Sequence, residues 1–178
     1  ELDRVLGLGC ERVRVISEAP GRAFAELATD TERHAMRQAL DLCGPYVLYL
    51  GGFDDKKSVD TLVRAWARLD PTTTPGLVLA GSGGDAAARF SRMVDDIGGE
   101  SSRLRCLGFV DDQLLPSLYA EADLFVFPAV AEGFGLPPVE AMAAGTATVI
   151  ADAGSLPEAT RGAAVACRPR DVAHLAQV

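Results

Sequence analysis

Positive charge is what this sequence lacks most: 17 Lys and Arg stand against 25 Asp and Glu in 178 residues, a formal net charge of −8. A nucleic-acid backbone is gripped by clustered cations, so that partner is excluded, and any phosphate bound here must be held locally. Cysteine is scarce as well. The four, Cys10, Cys43, Cys106 and Cys167, lie far apart with no Cys-x-x-Cys pair, which argues against a zinc site or redox motif and for a reduced, cytoplasmic chain. The two histidines, His34 and His174, have no carboxylate or cysteine at ligand spacing, so no metal is expected. No apolar run approaches the ~20 residues of a membrane span. The charged start Glu1-Leu-Asp-Arg4 is no signal peptide, and internal repeats and low-complexity segments are missing.

What remains is a chain the size of one domain, 48% hydrophobic, with enough apolar side chains for a layered core. From about residue 45, short β-rich apolar runs alternate with amphipathic stretches. Strands are expected at 46–50, 77–80, 103–107, 124–127, 146–150 and 164–166. Between them Val59, Leu62, Val63 and Trp66 recur at helical spacing, as do Leu114, Leu115, Leu118 and Tyr119. Six strands with crossover helices predict an α/β fold, a Rossmann-like doubly wound parallel sheet. Residues 1–44 read as a linker or edge element, with an apolar run at 13–16, a turn at Pro20-Gly21 and a helix from about 31 to 42. Residues 45–178 are the domain, whose last segment opens a helix at an Asp171 N-cap and reads as truncated there.

Two loops carry the chemistry. Strand 124–127 runs through Pro128 into Glu132-Gly-Phe-Gly135 and then a helix opened by Pro137-Pro138 and closed by Gly145. Glycines 133 and 135 let backbone approach a ligand closely, and free N–H groups near Leu136 suit an anion such as a diphosphate. Glu132 and Glu140 flank that helix start. Two carboxylates repel a bare phosphate, but they suit a ligand that also presents hydroxyls, as a sugar and a ribose joined by a diphosphate do. Taken alone, Glu140 fits a first-turn carboxylate complementing the helix dipole better than a ligand contact.

The second loop, Gly51-Gly52-Phe-Asp-Asp-Lys56-Lys57-Ser58, follows the first strand, placing two ammonium groups where open α/β sheets bind ligands. They are either a diphosphate clamp or an ordinary solvated loop. Gly81-Ser-Gly-Gly84 fails the dinucleotide spacing, which disfavours a dehydrogenase. Trp66 reads as core, and Asp111 as the cap of the following helix. Asp152 and Glu158 flank a glycine turn without an assigned contact.

The stretch EGFGLPPVEAMAAG at 132–145 resembles the paired-glutamate signature of the retaining, family-four (group 1 type) glycosyltransferases of the GT-B fold. The likeness runs in order from Tyr46 to about Asp171. It takes in the first strand with its glycine-basic loop, the Gly-x-Gly turn after Val78, the Leu-Gly-x-Val loop at 107–110, Leu-Tyr-x-x-Ala-Asp at 118–123 and Gly-x-x-Pro-Glu at 154–158. The resemblance implies the C-terminal, donor-binding half of a GT-B enzyme, with a nucleoside-diphosphate sugar as donor substrate and neither cofactor nor metal. It further implies that Glu140 would bind the ribose hydroxyls and Glu132 would face the transferred sugar. Backbone of Gly133, Phe134, Gly135 and Leu136 would hold sugar hydroxyls and phosphate. Lys57 matches the phosphate-binding lysine. Gly52 stands where many members carry arginine, with Lys56 as substitute charge. Lys57 and Glu132 are thus the expected catalytic pair.

Phe109 and Val110 would present backbone to the donor base, or simply end a strand by packing. The acceptor site and a catalytic histidine would belong to an N-terminal domain not found in this sequence. A non-catalytic nucleotide-sugar-binding subunit, or a GT-B relative such as a sugar-nucleotide epimerase or a phosphorylase, are the alternatives. Sugar, base and acceptor are not legible.

Overall fold

A computed structural model describes every residue except 1–4, 8–11, 13, 15, 27 and 83. Cys10 and half of the apolar run at 13–16 therefore lie outside the described residues. Six strands, β1 (Tyr46–Leu50), β2 (Gly76–Ala80), β3 (Leu104–Gly108), β4 (Leu124–Phe127), β5 (Thr148–Ala151) and β6 (Val165–Cys167), form one sheet in the order β3-β2-β1-β4-β5-β6. Every pairing is parallel. The chain winds outward from β1 to β3, returns to lay β4 beside β1, and winds outward the other way. β1 and β4 therefore flank the switch point, the crevice where doubly wound sheets take ligands.

The central strands β1, β2 and β4 are continuous apolar runs because helices cover both faces. Helices α3 (Val59–Trp66), α4 (Ala86–Asp96) and α8 (Val172–Leu175) pack together on one side. On the other, α5 (Leu115–Ala120), α6 (Leu136–Ala143) and α7 (Leu156–Thr160) join α1 (Arg22–Ala25) and α2 (Asp30–Ala39) from the leading segment. Trp66 is core as expected, its indole N–H donating to the Pro75 carbonyl at 2.9 Å. Helix α8 begins at Asp171, whose carboxylate accepts from the His174 amide.

Helix α2 shows how the leading segment is held. A capping box opens it: the Thr29 hydroxyl accepts from the Glu32 amide, and the Glu32 carboxylate accepts from the Thr29 amide. The helix ends at Ala39, earlier than the expected 42, and Asp41 then turns into the left-handed region at φ 51°. Met36 is buried in the core, and Arg33 and Arg37 reach Glu121 at the end of α5 at 3.2 and 2.6 Å. Burial works against the Glu121 charge, yet the two guanidiniums more than offset it and hold its pKa below the ordinary value.

The strands fall within two residues of their expected positions, and the offsets have causes. β5 starts at Thr148, not 146, because the Thr146 amide still bonds back to the Ala141 carbonyl and its hydroxyl to the Tyr119 carbonyl. β3 starts one residue late because Ser101–Arg103 form a 3-10 turn. Asp111 does not cap the helix directly. Its carboxylate accepts from the Gln113 amide in a turn, and α5 begins four residues later, at Leu115.

Seven aromatic rings form a contact row: Phe90, Phe53, Tyr49, Phe127, Phe125, Tyr119 and Phe24, each 5.3–6.1 Å from the next. The row runs from α4 across β1 and β4 to α1, linking helices on the two sides of the sheet through β1 and β4.

Candidate functional site

The β1 loop and the β4 loop meet at the switch point. The Val130 amide donates to the Lys56 carbonyl at 2.8 Å, which ties the two loops backbone to backbone. Close approach of loops also rests on glycine at 81, where an added Cβ would lie 1.8 Å from the Gly51 carbonyl oxygen. Gly52 accepts from the buried Tyr49 hydroxyl at 2.5 Å. Residues 55–57 then make a 3-10 turn that leaves Lys56 exposed and turns Lys57 inward.

Lys57 Nζ lies 2.5 Å from Glu132 Oε2, and the two side chains are only 15% and 21% exposed. The ammonium also sits 5.3 Å above the Phe127 ring. Two residues 75 apart in sequence thus share one ion pair on an aromatic floor, with neither charge left alone in a partly dry place.

After Glu132 the chain turns sharply. Gly135 adopts φ 97°, and a Cβ there would come within 2.6 Å of Leu156 Cδ2. The Ser155 hydroxyl lies 3.0 Å from the carbonyl oxygens of both Glu132 and Phe134, which ties the turn to the start of α7. Helix α6 then opens on Leu136, Pro137 and Pro138. Prolines lack an N–H, so donor capacity at this helix start is concentrated in the loop amides. Among the described residues, the amides of Gly133, Phe134, Gly135 and Leu136 make no hydrogen bond within the chain.

Glu140 occupies the second turn of α6. Its Oε2 accepts from the Tyr119 hydroxyl at 3.0 Å. Burial raises its pKa above the ordinary value; the Tyr119 bond opposes that, and the nearby Asp112 charge adds to it. Burial, with Glu140 beside it, pushes the Tyr119 phenol far above its ordinary range, so it remains a proton donor.

At the end of β3, Val110 is 6% exposed while the Phe109 ring stands 80% exposed. The valine packs a strand end; the phenylalanine does not. β3 joins the same edge through the Gly81 amide, which donates to the Gly108 carbonyl at 2.7 Å.

The structure therefore brings Lys57, Glu132 and residues 133–136 together, with Glu140 one turn further along α6, and leaves Lys56 and Phe109 exposed on the same edge. Sequence reasoning passed over Tyr119, Ser155 and Asp112. In the sequence Tyr119 reads as one member of a helical apolar face and of the Leu-Tyr-x-x-Ala-Asp stretch, without a role of its own.

The family model for "Glycosyl transferases group 1" matches residues 44–178. The chain belongs to this family. Among curated relatives of these glycosyl transferases, the serotype-specific mannosyltransferase WbdA of Escherichia coli is 31% identical over 175 residues, 96% of the chain but 22% of that protein. The O-antigen chain mannosyltransferase B of Escherichia coli is 37% identical over 138 residues, 74% of the chain and 36% of that protein. Among solved structures, Anabaena Alr3699/HepE in complex with UDP and glucose superposes with a TM-score of 0.78 at 23% identity, over 98% of the chain and 48% of that chain. The chain thus spans between about a fifth and a half of the proteins it resembles here. Its fold is that of a GT-B glycosyltransferase C-terminal domain.

Proposed function

We propose that this chain is the donor half of a hexosyltransferase that moves a sugar from a nucleoside diphosphate to an acceptor with retention of anomeric configuration. The observation that carries the reading is the meeting at one switch point of the Lys57–Glu132 pair, the unbonded amides of residues 133–136 and the half-buried Glu140 carboxylate.

Lys57 and the amides at the start of α6 are cationic and dipolar partners for a diphosphate, with Lys56 within the same turn. As the bond from the sugar to the diphosphate breaks, negative charge grows on the leaving oxygen, and a fixed ammonium beside it lowers the barrier. In this reading these groups do what a metal ion would otherwise do. Glu140 accepts hydrogen bonds from the ribose hydroxyls. Glu132, released from Lys57 by the incoming phosphate, faces the sugar hydroxyls, and the β3 edge at Phe109 and Val110 lies against the base. The mannosyltransferase names of the relatives support a hexose as the transferred group. A second, N-terminal half would bring the acceptor and the remaining catalytic group. Cys43, Cys106 and Cys167 are free thiols, which supports a reducing cytoplasmic setting.

The test is a thermal-shift panel of UDP-, GDP- and ADP-sugars on the chain and on its Glu140→Ala variant. One donor should raise the midpoint of the parent and not of the variant. An equal rise in both would put the donor elsewhere, and measurable sugar transfer by the chain alone would contradict the half-site reading.

A further inference from the structure

Glu140 has a flexible side chain, and a ribose diol needs it held in one orientation. The group that holds it comes from outside the loop and helix that carry the two glutamates. Tyr119 is fully buried in α5, with its backbone carbonyl accepting from the Thr146 hydroxyl at 2.6 Å. Its ring is met edge-on from two sides. Phe125 of β4 lies 5.3 Å away at 69°, and Phe24 of α1 lies 5.8 Å away at 73°. With the ring held in this way, its hydroxyl is fixed beside Glu140 and donates to Oε2 at 3.0 Å.

We propose that Tyr119 is a positioning residue for Glu140 and that Phe24, which precedes the stretch matched by the family, braces it. The proposal rests on the reading of Glu140 as the ribose-binding carboxylate. An ionised carboxylate offers about four lone-pair directions. Tyr119 occupies one of those on Oε2, sets the plane of the group and leaves Oε1 and the remaining Oε2 direction for a vicinal diol. Because the phenol is neutral, it orients the carboxylate without cancelling its charge. A lysine in its place would hold Glu140 as firmly and weaken it as an acceptor. The rotamer freedom of Glu140 is then lost on folding instead of on binding, the usual route by which preorganisation strengthens a site.

The experiment measures, by calorimetry on the whole chain, the affinity ratio between a nucleoside diphosphate and its 2′,3′-dideoxy counterpart, using whichever of UDP and GDP binds more tightly. The parent chain should favour the ribonucleotide by about tenfold or more, the worth of a hydrogen bond to a charged group. Tyr119→Phe keeps the ring and removes only the hydroxyl. It should bring the ratio to within a few-fold of unity with little change in dideoxy affinity, because only the diol contact depends on the orientation of Glu140. Phe24→Leu should shift the ratio the same way by a smaller factor, and an unchanged ratio there removes Phe24 from the assignment. A Tyr119→Phe variant that weakens both ligands equally, or leaves the ratio intact while Glu140→Ala abolishes it, overturns the positioning role and leaves the ribose reading standing. A parent ratio near one, unaffected by Glu140→Ala, overturns both.

Discussion

The loop after β4 and the first turns of α6 are continuous in sequence, yet they hold their carboxylates by opposite means. Glu132 is matched by the Lys57 ammonium. Glu140 faces the neutral Tyr119 phenol from a half-buried position that raises its pKa. An ion pair is a neutral unit that an incoming anion can reopen by taking the cation. A carboxylate on a phenol keeps its whole charge and waits for hydroxyl donors. The difference fits the division of labour proposed above, in which the loop end of the unit responds to charge and the helix end reads uncharged polar groups.

The comparison is broken most strongly by removing each carboxylate in turn. Glu140→Ala should weaken a nucleoside diphosphate and its sugar conjugate alike, by roughly 100-fold if two charge-assisted bonds are lost. Glu132→Ala should spare the nucleoside diphosphate, or bind it more tightly with Lys57 freed, and lose only the added contribution of the sugar. Calorimetry on both ligands with both variants separates these outcomes.

Gly135→Ala strikes the joint between the two ends. It combines a left-handed backbone at φ 97° with a contact into Leu156, and we expect a loss of about 2–4 kcal/mol in urea unfolding. Donor affinity should fall with it, because the amides of residues 133–136 share that turn.

The smallest effect sharpens the contrast through pH. A carboxyl whose pKa is raised by folding costs stability while ionised, at pH above its folded value. That cost disappears as pH falls below the unfolded value of about 4.3. Glu140→Gln, which still accepts from Tyr119, should therefore raise unfolding stability slightly at neutral pH, a gain that urea unfolding in acid should show to vanish. Glu121, whose pKa is lowered, runs the other way, contributing stability above its unfolded value and losing it as pH falls through the folded one.

Much of this was legible in the residues. Apolar runs bounded by glycine and proline marked the central strands β1, β2 and β4 most clearly, because strands buried on both faces must be apolar throughout, whereas the edge strands β3 and β6 are partly exposed. The switch-point loops were legible because Gly135, Pro137, Pro138 and Gly145 punctuate a helix start and stop. Partnerships were not. Lys57 and Glu132 are 75 residues apart, and Tyr119 and Glu140 are 21 apart, distances that only the closed sheet converts into contact. Tyr119 was concealed by its own spacing, since a tyrosine on an apolar helix face reads as core until its hydroxyl is traced. Strand ends shifted where side chains such as Thr146 took hydrogen bonds that the ladder would have used.

In the proposed function the start of α6, beside Lys57, receives the diphosphate of a nucleotide sugar. Backbone NMR of the chain during titration with UDP, GDP and ADP tests it most directly. The largest amide shifts should fall on Gly133, Phe134, Gly135 and Leu136, move with a single affinity, and collapse in Lys57→Ala. Shifts confined to other parts of the molecule, or unchanged by the lysine substitution, would contradict it.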